Sequence, residues 1–402
     1  MPIRNRFADL LPELIAWRHD FHAHPELMFE THRTAARVAE LLREFGVDEV
    51  VEGIGRTGVV GIIRGRRDSQ GRVIGLRADM DALPIEEAVE RPHASTVPGC
   101  MHACGHDGHM TMLLGAARYL AETRNFDGTA IVVFQPAEEG GGGGREMCAD
   151  GLMERFGIQE IYGMHNWPGM QAGSFAIRPG PFFAAADQFE IEVEGRGGHA
   201  ARPHEAIDTT LVAAHIVVAL QGIVSRNIDP TEQAVVSITS FETDGDAYNV
   251  IPQKALLKGT VRSLDQTTRA IAQERLGQIA RSIAQAFGAR AELNYMPGYP
   301  VMVNAPEQTE FAAEVARRVA GECAEAPLIM AGEDFAYMLE ERPGAYILVG
   351  NGSGPMLHHP EYDFNDEIMP AGCSFWADLI EQRMPLSSLD SICNVSGQGM
   401  SR

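Results

Sequence analysis

Apolar residues recur at helical spacing through Leu10, Leu14, Trp17 and Phe21, and again from Ala35 to Phe45. Residues 7–45 therefore read as helical. His24-Pro25 interrupts the run, because the residue before a proline is pushed out of helical geometry. Two short apolar runs bounded by turn residues, 58–63 and 73–78, read as strands. Residues 111–121 form an apolar helix, and 130–135 a buried strand that ends just before Glu138-Glu139. Strands alternating with helices predict an α/β domain with a mixed, parallel-rich sheet. Sites in such sheets lie at the C-terminal ends of the strands.

The pattern changes near Ala185. Residues 188–194 alternate strictly between apolar and polar, so one face of that strand is wet. A helix over 208–224, strands 234–241 and 255–261, a helix over 267–287 and a strand 289–295 complete the order β-α-β-β-α-β, that of a ferredoxin-like module. It reads as an insertion, because α/β patterning resumes after Tyr299 with a helix over 307–320 and a strand at 345–349. The expected organisation is a discontinuous catalytic domain (1–185 and 298–385) and an inserted domain (186–297). A polar tail without period (386–402) is expected to be disordered.

Composition narrows the function. A net charge of −22 leaves no basic stripe to replace phosphate counterions, which argues against a nucleic-acid partner. No run approaches the roughly 18 apolar residues of a membrane span. Residues 1–16 carry charge throughout and show no secretory signal. Six cysteines in 402 residues suit reduced thiols better than a disulfide framework, so a cytoplasmic location is expected.

Candidate chemistry concentrates in short loops bounded by glycine or proline. Cys104, His106 and His109 lie in one, the Glu138-Glu139 pair in a second, His165 in a third, and His358-His359 in a fourth. Thiol, imidazole and carboxylate are the donors that hold borderline divalent ions such as Zn, Mn, Co or Ni. Paired glutamates beside them suggest a metal-activated water with a carboxylate base. A single C-x-H would more often be a buried thiol and a capping histidine. Here four such loops recur. Asp107 and His109 read as orienting the loop or capping the helix over 111–121, and Asp79 as a neighbour of the ligands. His19, His22 and His24 read as structural.

The segments RADMDALP (77–84), MHACGHDGHM (101–110), QPAEEGGGG (135–143), GMHNWP (163–168), GGHAARPH (197–204), AGEDFAYML (331–339) and LHHPEYDFND (357–366) together resemble the M20 metallopeptidase family. Within it, the chain is most similar to the amidohydrolase subgroup of hippurate hydrolases, N-acyl-amino-acid deacylases and auxin-conjugate hydrolases. The resemblance runs in order over roughly residues 10–385. It implies two divalent metal ions per subunit and an inserted lid that often forms homodimers or higher homo-oligomers. It implies that Cys104, His106, Glu139, His165 and His358 are metal ligands and that Glu138 is the general base. It implies that His199 stabilises the oxyanion and that Asn249 and Arg262 meet the substrate carboxylate. The expected activity is hydrolysis of the amide of a small N-acyl amino acid. The alternatives are a dipeptidase or carboxypeptidase of the same family, or a catalytically inactive binding module. Other branches begin the site with His-x-Asp where this chain reads Arg77-Ala78-Asp79, which leaves the metal's identity open.

Overall fold

The structure is a computed structural model that describes residues 5–387. The expected tail, 386–402, lies outside the described residues apart from Leu386 and Ser387. The chain divides into two compact units. One holds the described residues up to Gly180, with Val303–Pro327 and the segment from Tyr337 onward; the other holds Pro181–Met302 and Leu328–Ala336.

The first unit is built on an eight-stranded mixed sheet. Its order is Glu49–Ile54, Gly58–Arg64, Thr129–Gln135, Val73–Asp79, Glu160–Pro168, Gly344–Gly352, Phe175–Ile177 and Ala324–Glu325. The four central strands, from Thr129–Gln135 to Gly344–Gly352, run parallel. Residues 130–135 are buried throughout, as expected of a strand covered on both faces. Asp79 pairs with Gln135, and His165 with Leu348. Parallel direction and near-even register bring the C-terminal ends of these four strands to one edge, and every candidate ligand loop leaves from or beside that edge. The helices Asn5–Ala23, His106–Thr123 and Met369–Arg383 pack together over the sheet, burying Phe7, Leu10, Leu14, Leu113, Ala117, Phe375 and Trp376 in one apolar core.

The second unit contains a four-stranded antiparallel sheet ordered Ala234–Thr243, Lys254–Ser263, Ala185–Glu194, Arg290–Tyr299. With helices Thr209–Leu220 and Gln266–Ala286 between strands, this is the ferredoxin-like connection. Alternation along Ala185–Glu194 works as its sequence requires: Phe189, Ile191 and Val193 enter the core. Asp187 is a buried tie, accepting Arg269 Nε–H at 2.8 Å, the Tyr295 hydroxyl at 2.6 Å and the Gly298 N–H at 2.8 Å.

Residues Thr209–Arg226 are long and apolar enough to cross a membrane by length and composition alone. In the fold, Val212, Ala213, Ile216, Leu220 and Ile223 of this segment fill the core of the four-stranded sheet. Leu211, Val218 and Val224 of the same segment are exposed.

Candidate metal centre

The first ligand loop is set by one glycine. Gly105 has φ 92°, a left-handed conformation in which a side chain is strained, and a Cβ there would collide with the Asn166 side chain and the Tyr362 hydroxyl. This turn lets Cys104 end the loop and His106 begin the helix His106–Thr123. The helix therefore starts five residues before the sequence reading placed it. Its polar first turn is buried rather than looped out: His106, Asp107 and His109 are all 1% exposed or less.

The glutamate pair is set by a strand stop. Pro136 has no N–H to continue the ladder, and Ala137 turns the chain at φ 54°. The N–H groups of Glu138 and Glu139 then both donate to the carboxylate of Asp81, at 2.9 and 3.1 Å. Asp81 also holds His106, whose Nδ1–H donates to the Asp81 carbonyl at 2.7 Å. The opposite ring nitrogen, His106 Nε2, is buried without a hydrogen-bond partner. It stands 3.8 Å from Asp79 and 3.9 Å from Glu139. An orphaned imidazole lone pair facing carboxylates is what a bound cation satisfies.

His165 is arranged in the same way. Its Nδ1–H donates to the Asn166 carbonyl at 2.7 Å, leaving Nε2 3.4 Å from Cys104 Sγ. His358 has φ 66° and donates its backbone N–H to the Ala103 carbonyl, which places its Nε2 3.2 Å from Glu139 Oε1. His359 instead accepts the N–H of Glu361 at its own Nδ1 and is exposed.

Of the five donor groups among the described residues whose ligand atoms lie within 4.8 Å of one another, two bear on the predicted ligands most directly: Cys104, His106, His165 and Cys104, Glu139, His358. They share the Cys104 thiol. A third group, His106 with Glu138 and Glu139, places the second carboxylate candidate against the same atoms. The donor chemistry fits divalent ions of borderline softness.

The electrostatics agree. Burial, then the carboxylates of Glu139, Glu138 and Asp79, push the Cys104 thiol well above its ordinary value. Burial opposes charge on His106, but Asp79, Asp81 and Glu139 outweigh it and hold the ring at about 10. Burial and the nearby His109 keep His165 well below the usual histidine range. Glu139 stays below its ordinary value despite burial, because His358 and His106 face it. This is a buried site with an excess of anionic donors, in which protons take the places that cations fill.

Sequence reasoning singled out Asp79 and His109 beneath the ligands but missed Arg77, Gln135, Asn166 and Tyr362, which link to them. Asp79 accepts His109 Nδ1–H at 2.6 Å and Arg77 Nη1–H at 2.7 Å, and Arg77 Nε–H reaches Gln135 at 2.8 Å. His109 Nε2 lies 2.7 Å from Asn166 Oδ1, and Asn166 Nδ2 donates to the Tyr362 hydroxyl at 2.5 Å. This buried chain runs behind the ligands. Asp79, read from the sequence as a neighbour of the ligands, accepts from both Arg77 and His109 and also stands with His106 and His109 in a further donor group.

The remaining candidates lie in the second unit. Gly198–His199 pairs with Val250–Ile251, with His199 opposite Val250, and Ala200 N–H donates to the Asn249 carbonyl at 2.9 Å. The fold thus brings His199 and Asn249 together on one ribbon. The exposed His199 accepts the Ala201 N–H at Nδ1. Arg262 lies on the four-stranded sheet, half-buried, donating to the Val261 carbonyl at 3.1 Å and to the Thr260 hydroxyl.

Comparison with known proteins places the chain. The sequence profile of peptidase family M20/M25/M40 matches residues 75–382. A hippurate hydrolase of Campylobacter jejuni is 44% identical over 375 residues, covering 92% of this chain and 96% of that protein. An N-acetylcysteine deacetylase of Bacillus subtilis is 38% identical, covering 91% and 95%. The crystal structure of the Bacillus subtilis YXEP protein, described as a dinuclear metal binding peptidase from the M20 family, superposes with a TM-score of 0.83 at 34% identity over 94% of this chain and 99% of that one. The chain belongs to the M20/M25/M40 peptidase family.

Proposed function

We propose that the protein is a metal-dependent amidohydrolase that cleaves the amide bond of N-acyl amino acids of the hippurate or N-acetyl type. The observation that carries this reading is the pair of donor groups sharing Cys104, with Glu138 placed beside Glu139. Relatives named for hippurate and N-acetylcysteine, matched over nearly their whole length, support the substrate class.

Cys104, His106 and His165 would hold one divalent ion, and Cys104, Glu139 and His358 a second, drawn from Zn, Mn, Co or Ni. When bound, such ions lower the pKa of a nearby water and polarise the amide carbonyl. Glu138 takes a proton from the attacking water and delivers it to the leaving nitrogen. The bonds from Asp81 hold the backbone of the base and of Glu139 in one piece, so the two neighbouring carboxylates keep separate tasks. His199 is assigned to the developing oxyanion, and Asn249 and Arg262 to the free carboxylate of the substrate. A guanidinium suits that carboxylate through its planar fork.

The working form is a homodimer or higher homo-oligomer. This is supported by the exposed Leu211 and Val218 on the helix Thr209–Leu220 and by Val235 and Phe241 on the sheet-edge strand Ala234–Thr243. The five described cysteines are free thiols, which supports a reducing, cytoplasmic location.

The test is hydrolysis of hippurate, an N-acetyl-amino-acid panel and free dipeptides by chelator-stripped enzyme, with each metal restored singly and a Glu138→Gln control. Metal-restored turnover of the acylated substrates, absent in the control, is expected. Turnover of dipeptides alone would make the protein an exopeptidase. Absence of both turnover and bound metal would remove the enzyme reading.

A further inference from the structure

Arg18 lies on the helix Asn5–Ala23, ahead of the family-matched residues 75–382, and its side chain is 1% exposed. Nη1 donates to Asp107 Oδ2 at 3.1 Å and to Asp363 Oδ1 at 3.2 Å. Nη2 donates to His93 Nε2 at 3.1 Å, and Nε pairs with Asp366. Asp107 directly follows the ligand His106. Asp363 and Asp366 lie on the segment that continues from the ligand His358. A single buried cation thus joins the helix bearing one ligand to the loop bearing another. Burying such a charge is costly unless several partners meet it, so this geometry is strongly constrained.

The loop needs that constraint more than the helix does. The His358 side chain is 52% exposed, and its backbone is left-handed. His165, by contrast, is 5% exposed on a central strand, with its ring fixed by the Asn166 carbonyl. Between His358 and Asp366 the loop is held on its inner side by the Tyr362 hydroxyl on Asn166 and by the Phe364 ring, which occupies the space a Cβ on Gly108 would need. Arg18 closes the outer side with help: Arg91 pairs with Asp363 at 3.0 Å and donates to the Tyr362 carbonyl at 3.1 Å, and His19 lies 2.9 Å from Asp366, but of these Arg18 is the one that reaches both aspartates and Asp107. Asp107 keeps His22 as a second partner at 2.9 Å, so the helix end has a tie that does not depend on Arg18.

We propose that Arg18 is a positioning residue of the metal centre. By tying Asp363 and Asp366 to Asp107 it fixes the loop that presents His358, and it sets the affinity of the Cys104–Glu139–His358 group while leaving the Cys104–His106–His165 group nearly unchanged. The inference rests on the two-ion reading given above.

The experiment is calorimetric titration of chelator-stripped enzyme with Co(II), reading stoichiometry and the affinity of each step. It is run on the wild type, Arg18→Lys, Asp363→Asn and Asp366→Asn, with His358→Ala as reference. The wild type should bind two ions. Arg18→Lys should keep one ion near wild-type affinity and weaken the other by about 10–100-fold, the usual scale for residues that orient a metal ligand. Each Asp→Asn variant should weaken the same step. In the His358→Ala background, Arg18→Lys should add nothing, since the step it controls is already lost. Two unchanged steps in the variants, or parallel loss of both, would overturn the inference while leaving the two-ion reading intact. A wild type that binds one ion would overturn both. If Arg18→Lys does not fold, Asp363→Asn and Asp366→Asn decide together: Asp363 also meets Arg91 and His93, Asp366 also meets His19, and Arg18 is the partner the two share, so weakening of the step by only one of them would overturn the inference.

Discussion

The carbonyl of Asp81 accepts the Nδ1–H of His106 at 2.7 Å, and this bond decides which nitrogen of that ring is open. The same residue's carboxylate holds the N–H groups of Glu138 and Glu139. Three functional positions therefore depend on one side chain and its own backbone. Asp81→Ala should lower metal affinity or turnover by about 10–100-fold, the range seen when a ligand-orienting partner is removed. Metal content after dialysis, measured beside turnover, checks this. Wild-type values for both would show that the turn at Ala137 alone sets the glutamates.

Neighbouring carboxylates should fail differently. Glu138→Gln should cut kcat by about 10²–10⁴-fold, the usual worth of a general base, while bound metal stays at the wild-type level. Glu139→Gln should lose metal from the Cys104–Glu139–His358 group. Elemental analysis of both variants separates the two roles, and equal metal loss in both would merge them.

Gly105 is predicted to be irreplaceable for a steric reason. Alanine there must adopt φ 92° and displace the Asn166 side chain and the Tyr362 hydroxyl. Left-handed strain alone costs about 1–3 kcal/mol. Gly105→Ala should unfold at lower denaturant and bind metal more weakly, because Cys104 and His106 flank the turn. Denaturant melts with and without added metal would reveal it. Unchanged midpoints would mean the loop relaxes at no cost.

Stability should decline on the alkaline side through His22. Burial opposes its charge, but hydrogen bonds to Asp107 and Glu87 raise it to about 9. An unfolded histidine titrates near ~6.5. A raised folded value stabilises fully below the unfolded one and is lost as pH rises through the folded one, so a contribution on the order of 3 kcal/mol should fade between about pH 6.5 and 9. Asp107 is held far below its ordinary range, despite burial, by His22 and Arg18; its contribution fades only in acid, outside that window. Urea midpoints from pH 6 to 9.5 should slope downward in the wild type and be flatter in His22→Gln. Identical slopes would assign the decline to other groups.

The donor residues were legible because glycines and prolines bound the short motifs that carry them. Cys104, Glu138, Glu139 and His358 come from loops, but His106 opens a helix and His165, expected in a loop, lies on the central strand Glu160–Pro168. Their supports were legible only in part. Asp79, Asp107 and His109 stand out beside the ligand motifs, whereas Asp81 looks like a strand end and Asn166 like one more strand residue; their work is done on residues far away in sequence. The helix from His106 shows the same limit. Local pattern places its start at Thr111, since histidine, aspartate and glycine read as loop. The true first turn is helical because Asp81, Asp79, His22 and Arg18 satisfy its buried polar groups. The strand Glu49–Ile54, with exposed Glu49 and Glu52, carries too little apolar pattern to be seen without its partner Gly58–Arg64.

The central sheet is interrupted in sequence by the whole of Pro181–Met302, and this imposes an order in time. A ribosome has made Cys104, His106 and His165 before the second unit exists. His358 follows about 200 residues after His165, which is roughly 10–40 s of synthesis. Until the strand Gly344–Gly352 adds beside Glu160–Pro168, the nascent chain owns the residues of the Cys104–His106–His165 group but lacks His358 for the other. Competence for two ions therefore arrives last, in a single step, when the end of the chain returns to its beginning.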